Sequence, residues 1–227
     1  MTKFTIRTIP VLILLLIAGA KQASAQGFSG YFGVGSAFDS SATNVGCPPG
    51  QIYDPLNPSA APPCVPANSM GGVFGVFGGD FMFTPHLGFN GQYSFRFAQA
   101  QYATSTNSGF GNIPFTVRPA FYDLNAVYEP ISGEKAVVPV LEGGIGAAHL
   151  SYYSSQTSGA LFTTSTIFGT TNHFQVHGGV GTKIYFKGDA FIKPQFDIHY
   201  VPNLNQQYGR NFVPEFTVSI GYTFGSR

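Results

Sequence analysis

The chain has 227 residues, only 9% of them charged, and a net charge of +1 at pH 7. Soluble domains carry about 25% charged residues, so a lipocalin-like soluble binder could not build its charged exterior from this composition. A nearly neutral chain also gives no electrostatic basis for nucleic-acid binding. With 23 Phe, 12 Tyr and 29 Gly, the composition favours a surface that faces lipid.

Residues 1–25 have the pattern of a secretory signal peptide. A basic segment with Lys3 and Arg7 precedes an apolar run and the small-residue cleavage site Ala23-Ser24-Ala25. The apolar run is too short for a spanning helix, which needs about 20 apolar residues. We therefore expect cleavage after residue 25 and one exported domain over residues 26–227.

Eight segments of the exported part alternate between apolar and polar positions. The clearest runs from Leu87 to Phe97, where odd positions are apolar or glycine and even positions are small or polar. The predicted strands cover about residues 28–37, 71–83, 87–98, 115–129, 136–150, 173–186 and 190–201, with a last strand ending at Phe224. Short turns and long polar connections alternate between them. This pattern predicts an all-β fold, an eight-stranded antiparallel up-and-down transmembrane β-barrel after a cleaved signal peptide.

The strand number also predicts location and lumen. An even number of strands places both termini at the short-turn end, which is periplasmic in such barrels. We expect the outer membrane of a Gram-negative-type bacterium, with the long connections outside. Eight strands leave an interior just filled by side chains, which predicts a plugged lumen.

Hairpin partners must agree about which face is inward, and this rule predicts a lumen histidine pair. A three-residue turn at residues 187–189 pairs Phe186 with Ala190, and therefore His177 with His199. Two imidazoles can share a metal, but a specific site needs three or four ligands. Because the only other candidate on these two strands is Asp197, we interpret the pair as polar filling and predict no metal site and no cofactor.

A lumen charge network follows from the same reasoning. A six-residue turn at residues 130–135 sets Asp123 opposite Glu142, and Arg96 points into the lumen toward Asp123. Lys183 lies opposite Lys193 in the neighbouring hairpin. Like charges that face each other need compensation, so we expect one interior network, with Asn90 and Gln92 nearby: Arg96, Asp123, Glu142, Lys183, Lys193 and Asp197. In strand 4 the segment 117–120 is out of phase with Asp123, and Pro119 indicates a bulge.

Catalytic signals are weak. His149 is followed by Ser151 near the outer end of a strand, and Glu215 or Asp123 could supply an acid. Serine is common in barrel loops, so chance explains this proximity, and we predict no catalytic residues and no enzyme.

Cys47 and Cys64 both fall in the first long, proline-rich connection. In an exported protein this placement predicts a structural disulfide, which would constrain the loop by about 3 kcal/mol in the chain-entropy model. Such a clasp would present a rigid loop to a partner.

Several motifs resemble the OmpA/OmpX-type outer-membrane β-barrel superfamily. They are the signal peptide, the eight segments, the Pro-x-Leu-x-Gly-Gly-x-Gly run from Pro139 to Gly146 and the closing strand from Phe216 to Phe224. The resemblance implies an occluded barrel with roles in envelope integrity, adhesion or small permeability. Tyr222 and Phe224 resemble the terminal signal that the assembly machinery reads. No peptidoglycan-binding domain is expected.

The predicted function is a structural or surface-interaction role in the outer membrane. The alternatives are a small low-conductance channel and a lipid-acting outer-membrane enzyme. The expected partners are outer-membrane lipid and lipopolysaccharide, the barrel assembly machinery and periplasmic chaperones during biogenesis, and an external surface partner that the long loops contact. No nucleic-acid partner is expected.

Overall fold

A computed structural model describes residues 27–38, 51–53, 64–66, 70–105, 113–131, 135–158, 162–202, 204 and 211–225. Its strands are β1 (Gly27–Ala37), β2 (Gln51–Tyr53), β3 (Cys64–Pro66), β4 (Gly72–Met82), β5 (Leu87–Arg96), β6 (Ala100–Ser105), β7 (Ile113–Tyr128), β8 (Val137–Ser158), β9 (Phe162–Lys187), β10 (Ala190–Tyr200) and β11 (Phe212–Gly225). The predicted signal peptide and Cys47 lie outside the described residues, so cleavage and the Cys47–Cys64 disulfide remain predictions.

Eight antiparallel strands close into a barrel, which confirms the predicted fold. The order is β5-β4-β1-β11-β10-β9-β8-β7, and pairing of β5 with β7 closes the sheet. Strand β6 continues the β5 edge along β7, and β2 and β3 form a separate pair. The β4–β5 hairpin has the predicted register, with Phe77 opposite Tyr93.

The exterior of the barrel is apolar. Outward-facing side chains such as Phe32, Leu124 and Phe174 are more than half exposed, whereas their polar neighbours along each strand face inward and are buried. The described residues form no helix long and apolar enough to span a lipid bilayer. Because a wall of this kind is unfavourable in water, the barrel is built to be surrounded by lipid.

The β9–β10 turn differs from its prediction. Lys187, not Phe186, lies opposite Ala190, and the turn has two residues, Gly188 and Asp189. Gly188 has a φ of 56°, the left-handed conformation that tight hairpin turns require. A bulge next to Ala190 then restores the expected parity.

The predicted β7–β8 register is wrong by four residues. Asp123 lies opposite Gly146, and Glu142 lies opposite Val127. The first four residues of β8, 137–140, pair with β9 alone, and pairing with β7 begins at Leu141. Tilted barrel strands are staggered, so a strand can extend beyond one neighbour while it pairs with the other. Because the error is an even number of residues, Asp123 and Glu142 still face the lumen.

The predicted bulge at Pro119 is also wrong, because Pro119 lies opposite Leu150 in an uninterrupted register. The side chains of Val117 and Phe121 are fully buried and share the inward face with Asp123. Inward and outward residues therefore alternate without interruption along β7. What changes is the chemistry of the inward face, which is apolar up to Phe121 and polar from Asp123. Sequence reasoning had assigned apolar residues to the lipid face throughout.

Strands β8 and β9 extend well beyond the predicted boundaries. They have 22 and 26 residues and pair from Val137 opposite Ile184 to Ser158 opposite Phe162. A membrane-spanning strand needs only about 9–11 residues. The excess lies at the long-loop end, so this hairpin continues past the apolar wall.

Candidate functional site

The lumen is apolar at the end with the long connections, and polar and apolar side chains are mixed below it. A buried cluster occupies the end with the long connections, and it consists of Ala37, Met70, Phe74, Ala100, Val117, Phe121, Ala148, Leu150, Tyr152, Val201, Leu204 and Val213. Met82, Val127 and Val140 form a smaller cluster at the short-turn end. Between them lie buried charged and amide side chains. The polar zone is thus covered by apolar packing at the long-connection end, and it extends to the short-turn end, where Ser29, Glu129 and Thr223 are also buried.

Two lysines hold separate carboxylate groups. Lys193 Nζ lies 2.5 Å from Glu142 Oε1 and also 4.4 Å from the centroid of the Tyr31 ring. Lys183 Nζ lies 2.9 Å from Asp80 Oδ2 and 2.7 Å from Glu129 Oε1. Because the lumen excludes solvent, each buried charge depends on these partners.

The two predicted histidines lie directly opposite each other, with ring centroids 4.9 Å apart. His177 Nε2 donates to Asp197 Oδ1 at 3.0 Å, and its Nδ1 lies 2.9 Å from Asn125 Oδ1. Gln195 Nε2 also donates to Asp197 Oδ1, at 2.7 Å. His177 is therefore held by partners on β10 and β7, and Asp197 by His177 of β9 and by Gln195 of its own strand.

His199 has a different environment. Its Nε2 donates to Glu215 Oε2 at 3.2 Å, while its Nδ1 lies 3.7 Å from Asp123 Oδ2. Asp123 Oδ1 accepts a hydrogen bond from Gln175 Nε2 at 2.6 Å. The Phe121 ring stacks on the imidazole at a centroid distance of 4.3 Å. His199 thus joins the polar zone to the outer apolar cluster.

The structure does not bring Arg96 to Asp123. Gln92 lies opposite Asp123 in the β5–β7 register. Arg96 is the last residue of β5, at the long-loop end. Its guanidinium packs over Gly72, and any side chain at position 72 would collide with it. The single network predicted from the sequence is therefore divided into separate groups, which centre on Lys183, on Lys193 and on the two histidines.

Sequence reasoning missed four residues that complete these groups: Asp80, Glu129, Gln175 as a partner of Asp123, and Glu215 as a partner of His199. Strand parity was the available signal. Asp80 lies between the outward-facing Phe77 and Phe81, and Glu215 precedes the outward-facing Phe216. Parity predicts the face of such residues but not their partners across the lumen.

Two inward glycines make room for the network. A side chain at Gly144 would meet the Leu124 carbonyl and Asn125 Oδ1, and one at Gly146 would meet the Tyr122 carbonyl and Asp123 Oδ1. The Gly-rich end of the Pro139–Gly146 run therefore leaves the space that the neighbouring polar side chains occupy.

A second polar group lies on the outside of the barrel. Ser151 Oγ lies 3.2 Å from His149 Nε2, and His149 Nδ1 lies 2.7 Å from Asn172 Oδ1. The acids considered from sequence, Glu215 and Asp123, face the lumen instead and cannot reach His149. Asn172 was missed because it comes from the segment interpreted as a loop.

The Ser151, His149 and Asn172 side chains lie where the outer face changes character. Below His149 on β8 the outward-facing residues include Ile145, and below Asn172 on β9 they include Phe174, both more than half exposed. Just beyond them the described outward residues include the polar Ser151 and Thr170, although Ile167 is also exposed. The group is therefore placed at the edge of the apolar wall.

No protein-family model and no curated protein matches this sequence. The outer-membrane protein OprG from Pseudomonas aeruginosa has a similar structure, with a TM-score of 0.52 and 11% identity over 89% of this chain and 97% of OprG. The fold is that of the OmpA/OmpX-type outer-membrane barrels. The N-terminal barrel of Pseudomonas aeruginosa OprF is also similar, with a TM-score of 0.47 and 12% identity over 87% of this chain and 97% of the barrel. Ail, the attachment invasion locus protein of Yersinia pestis, has a TM-score of 0.46 and 12% identity over 88% of this chain and 99% of Ail.

In this barrel, Tyr222 and Phe224 lie on β11 and are about half exposed on the outer face, at 45% and 56%. Phe224 stacks on Phe28 of β1, with ring centroids 6.2 Å apart. The terminal aromatics therefore belong to the apolar wall at the short-turn end. Their role as an assembly signal remains a prediction.

Proposed function

We propose that this chain is an integral outer-membrane barrel with a structural or surface-interaction role, and that its lumen does not conduct. The observation that carries the proposal is the filled lumen, in which the Lys193–Glu142 and Lys183–Asp80 ion pairs lie below the apolar cluster at the long-connection end. An eight-stranded barrel filled in this way has no continuous aqueous path. In this proposal both termini are periplasmic and no catalytic step is required.

The long β8–β9 hairpin supports a role at the cell surface. Because β8 and β9 extend past the apolar wall, their outer halves are available to lipopolysaccharide or to a partner outside the cell. Thr163, Thr164, Thr166, Thr170 and Thr171 also favour extended structure in this hairpin. Assembly machinery and periplasmic chaperones are the partners we propose during biogenesis.

Planar-bilayer recordings test the closed lumen. The native protein should show no discrete conductance, because apolar side chains fill the outer end of the lumen and ion pairs and hydrogen bonds fill the rest. A Phe74→Ala, Phe121→Ala double variant removes two stacked rings of the outer cluster and serves as the control for an opened lumen. Discrete conductance of the native protein would contradict the proposal and favour the small channel.

A shortened hairpin tests the surface role. Replacing residues 153–168 by Asn-Gly joins Tyr152 to Gly169, which lie opposite each other, through a favoured two-residue turn. Cells with this variant should keep a heat-modifiable barrel but lose adhesion to lipopolysaccharide-coated surfaces. Cells with the native protein should adhere and resist detergent better than cells without it. Equal behaviour of all three strains in both assays would refute the surface role.

Ester hydrolysis at the membrane surface is a second candidate function, and the Ser151–His149–Asn172 hydrogen bonds favour it. Asn172 Oδ1 accepts the Nδ1 proton and thereby leaves His149 Nε2 free to accept the Ser151 proton. Ser151 Oγ would form an ester with the acyl carbon of a phospholipid, and the lipid alcohol would leave with the proton from His149. Water would then hydrolyse the acyl-serine and release the fatty acid.

Mass spectrometry of mixed phospholipid–detergent micelles tests this second candidate. The native barrel should release fatty acid and lysophospholipid, Ser151→Ala should release none, and Ser154→Ala on the same strand should behave like the native protein. No release by the native barrel, or equal release by Ser151→Ala, would exclude the hydrolytic function.

A further inference from the structure

Three metal-ligating side chains converge in the lumen. One oxygen of Asp123 and one ring nitrogen from each of His177 and His199 all lie within 4.8 Å of one another, and all three residues are buried. They come from three strands, β7, β9 and β10. We propose that these residues bind one divalent first-row transition-metal ion, with zinc as the fitting metal, as a structural ion inside the barrel.

Two of the ligand atoms make no hydrogen bond. Asp123 Oδ2 and His199 Nδ1 are buried without a hydrogen-bond partner, and 3.7 Å separates them. Two ligands of a tetrahedral zinc ion, each at about 2.0–2.1 Å from the metal, lie about 3.4 Å apart. A buried polar atom without a partner is unfavourable, and one metal ion between these two atoms satisfies both with little movement.

The opposite ends of the two unpaired ligands are already held in place. Asp123 Oδ1 accepts from Gln175 Nε2, and His199 Nε2 donates to Glu215 Oε2. In metal sites the ligating histidine usually donates its other N–H group to a carboxylate or carbonyl, which fixes the tautomer and the ring orientation. His199 has this arrangement, and Nδ1 therefore carries the lone pair.

His177 has the same outer arrangement. Its Nε2 donates to the Asp197 carboxylate, so Nδ1 is the nitrogen that can bind a metal. In the structure this Nδ1 lies 2.9 Å from Asn125 Oδ1. Because Asn125 Oδ1 can only accept, that hydrogen bond places a proton on Nδ1, and metal binding replaces this proton, which is released to the solvent as the ion enters during refolding. Both histidines then present Nδ1 inward, each with a carboxylate behind it.

The charge balance of the lumen independently favours a cation. Two lysines are buried in the described residues, Lys183 and Lys193, whereas six carboxylates are buried: Asp80, Asp123, Glu129, Glu142, Asp197 and Glu215. Protonation of both histidines would still leave carboxylates in excess. Uncompensated buried charge is strongly unfavourable, and a divalent ion bound by neutral histidines supplies two positive charges where three of these acids meet.

The test uses the untagged exported chain, residues 26–227, refolded from urea into detergent with one equivalent of zinc chloride. Zinc is added during refolding because the folded lumen is enclosed. After removal of free metal, elemental analysis should find one zinc ion per native barrel. Refolding with cobalt instead should give the intense visible absorption of a tetrahedral site.

Matched variants locate the ion. Asp123→Asn keeps the side-chain shape and His199→Gln keeps a polar side chain of similar length, and each should reduce bound zinc about ten-fold or more. His173→Gln and His149→Gln lie outside the cluster and should leave it unchanged. Heat-modifiable migration shows which variants have folded. A native barrel without zinc, equal zinc in Asp123→Asn, or a weak octahedral cobalt spectrum would overturn the site, and none of these results would bear on the proposed surface role.

Discussion

Lys193 and Glu142 form an ion pair across the barrel lumen, with 2.5 Å between Nζ and Oε1 and with both side chains 1% exposed. They lie on β10 and β8, which β9 separates in the sheet. This pair shows how the lumen is organised: its charges meet their partners through the interior and not along a single hairpin.

Glu142→Ala should lower the free energy of unfolding by about 3–5 kcal/mol, because it leaves the buried Lys193 charge without its carboxylate. Urea unfolding in detergent, followed by gel migration, measures the change. Lys187→Ala removes an exposed charge at the β9–β10 turn and should change stability by less than about 0.5 kcal/mol. Similar effects of the two substitutions would mean that Glu142 does not compensate a buried charge.

Disulfide cross-linking should report the β7–β8 register. In a background with Cys47→Ser and Cys64→Ser, Leu124→Cys with Ile145→Cys should cross-link, because these residues lie opposite each other on the outer face. Leu124→Cys with Leu141→Cys would be opposite each other in the register predicted from a six-residue turn. This pair should not cross-link, because Leu141 lies opposite Tyr128 and disulfides require Cα atoms about 4.4–6.8 Å apart. Gel mobility with and without thiol distinguishes the two, and the reverse result would restore the register predicted from sequence.

Gly146→Ala should destabilise the barrel by about 1–3 kcal/mol, because the added methyl group meets the Tyr122 carbonyl and the Asp123 side chain. Gly178→Ala is the matched control, since nothing lies within 4 Å of its added methyl group. Refolding yield and unfolding temperature measure both. If Gly146→Ala folds as well as Gly178→Ala, the inward glycines do not make room for the network.

Phe121→Ala should cost about 3–5 kcal/mol, because Phe121 is fully buried and stacks on both Phe74 and His199. The adjacent Tyr122 faces outward and is 48% exposed, so Tyr122→Ala should cost much less. Thermal unfolding of the two variants gives the comparison. A larger loss for Tyr122→Ala would place Tyr122, and not Phe121, on the lumen side.

Face assignments could be predicted wherever the lumen is polar. Lys193, Gln195, Asp197 and His199 on β10 are all buried, as the alternation predicts. The same rule gave a false change of phase at residues 117–120, where the lumen itself is apolar at Val117. Alternation in the sequence reflects a difference in polarity between the two faces of a strand. Where both faces are apolar, it cannot show which residues face inward.

The sequence by itself determined the eight strands, their antiparallel order and most inward positions, because these depend on a two-residue period that is local to each strand. It also brought His177 and His199 together, since a short hairpin joins them. Only the tertiary structure decided that Lys183 meets Asp80 and Glu129 and that His199 meets Asp123. Those contacts join strands that are not hairpin partners, and their positions depend on the stagger of the closed barrel, which no single segment of sequence encodes.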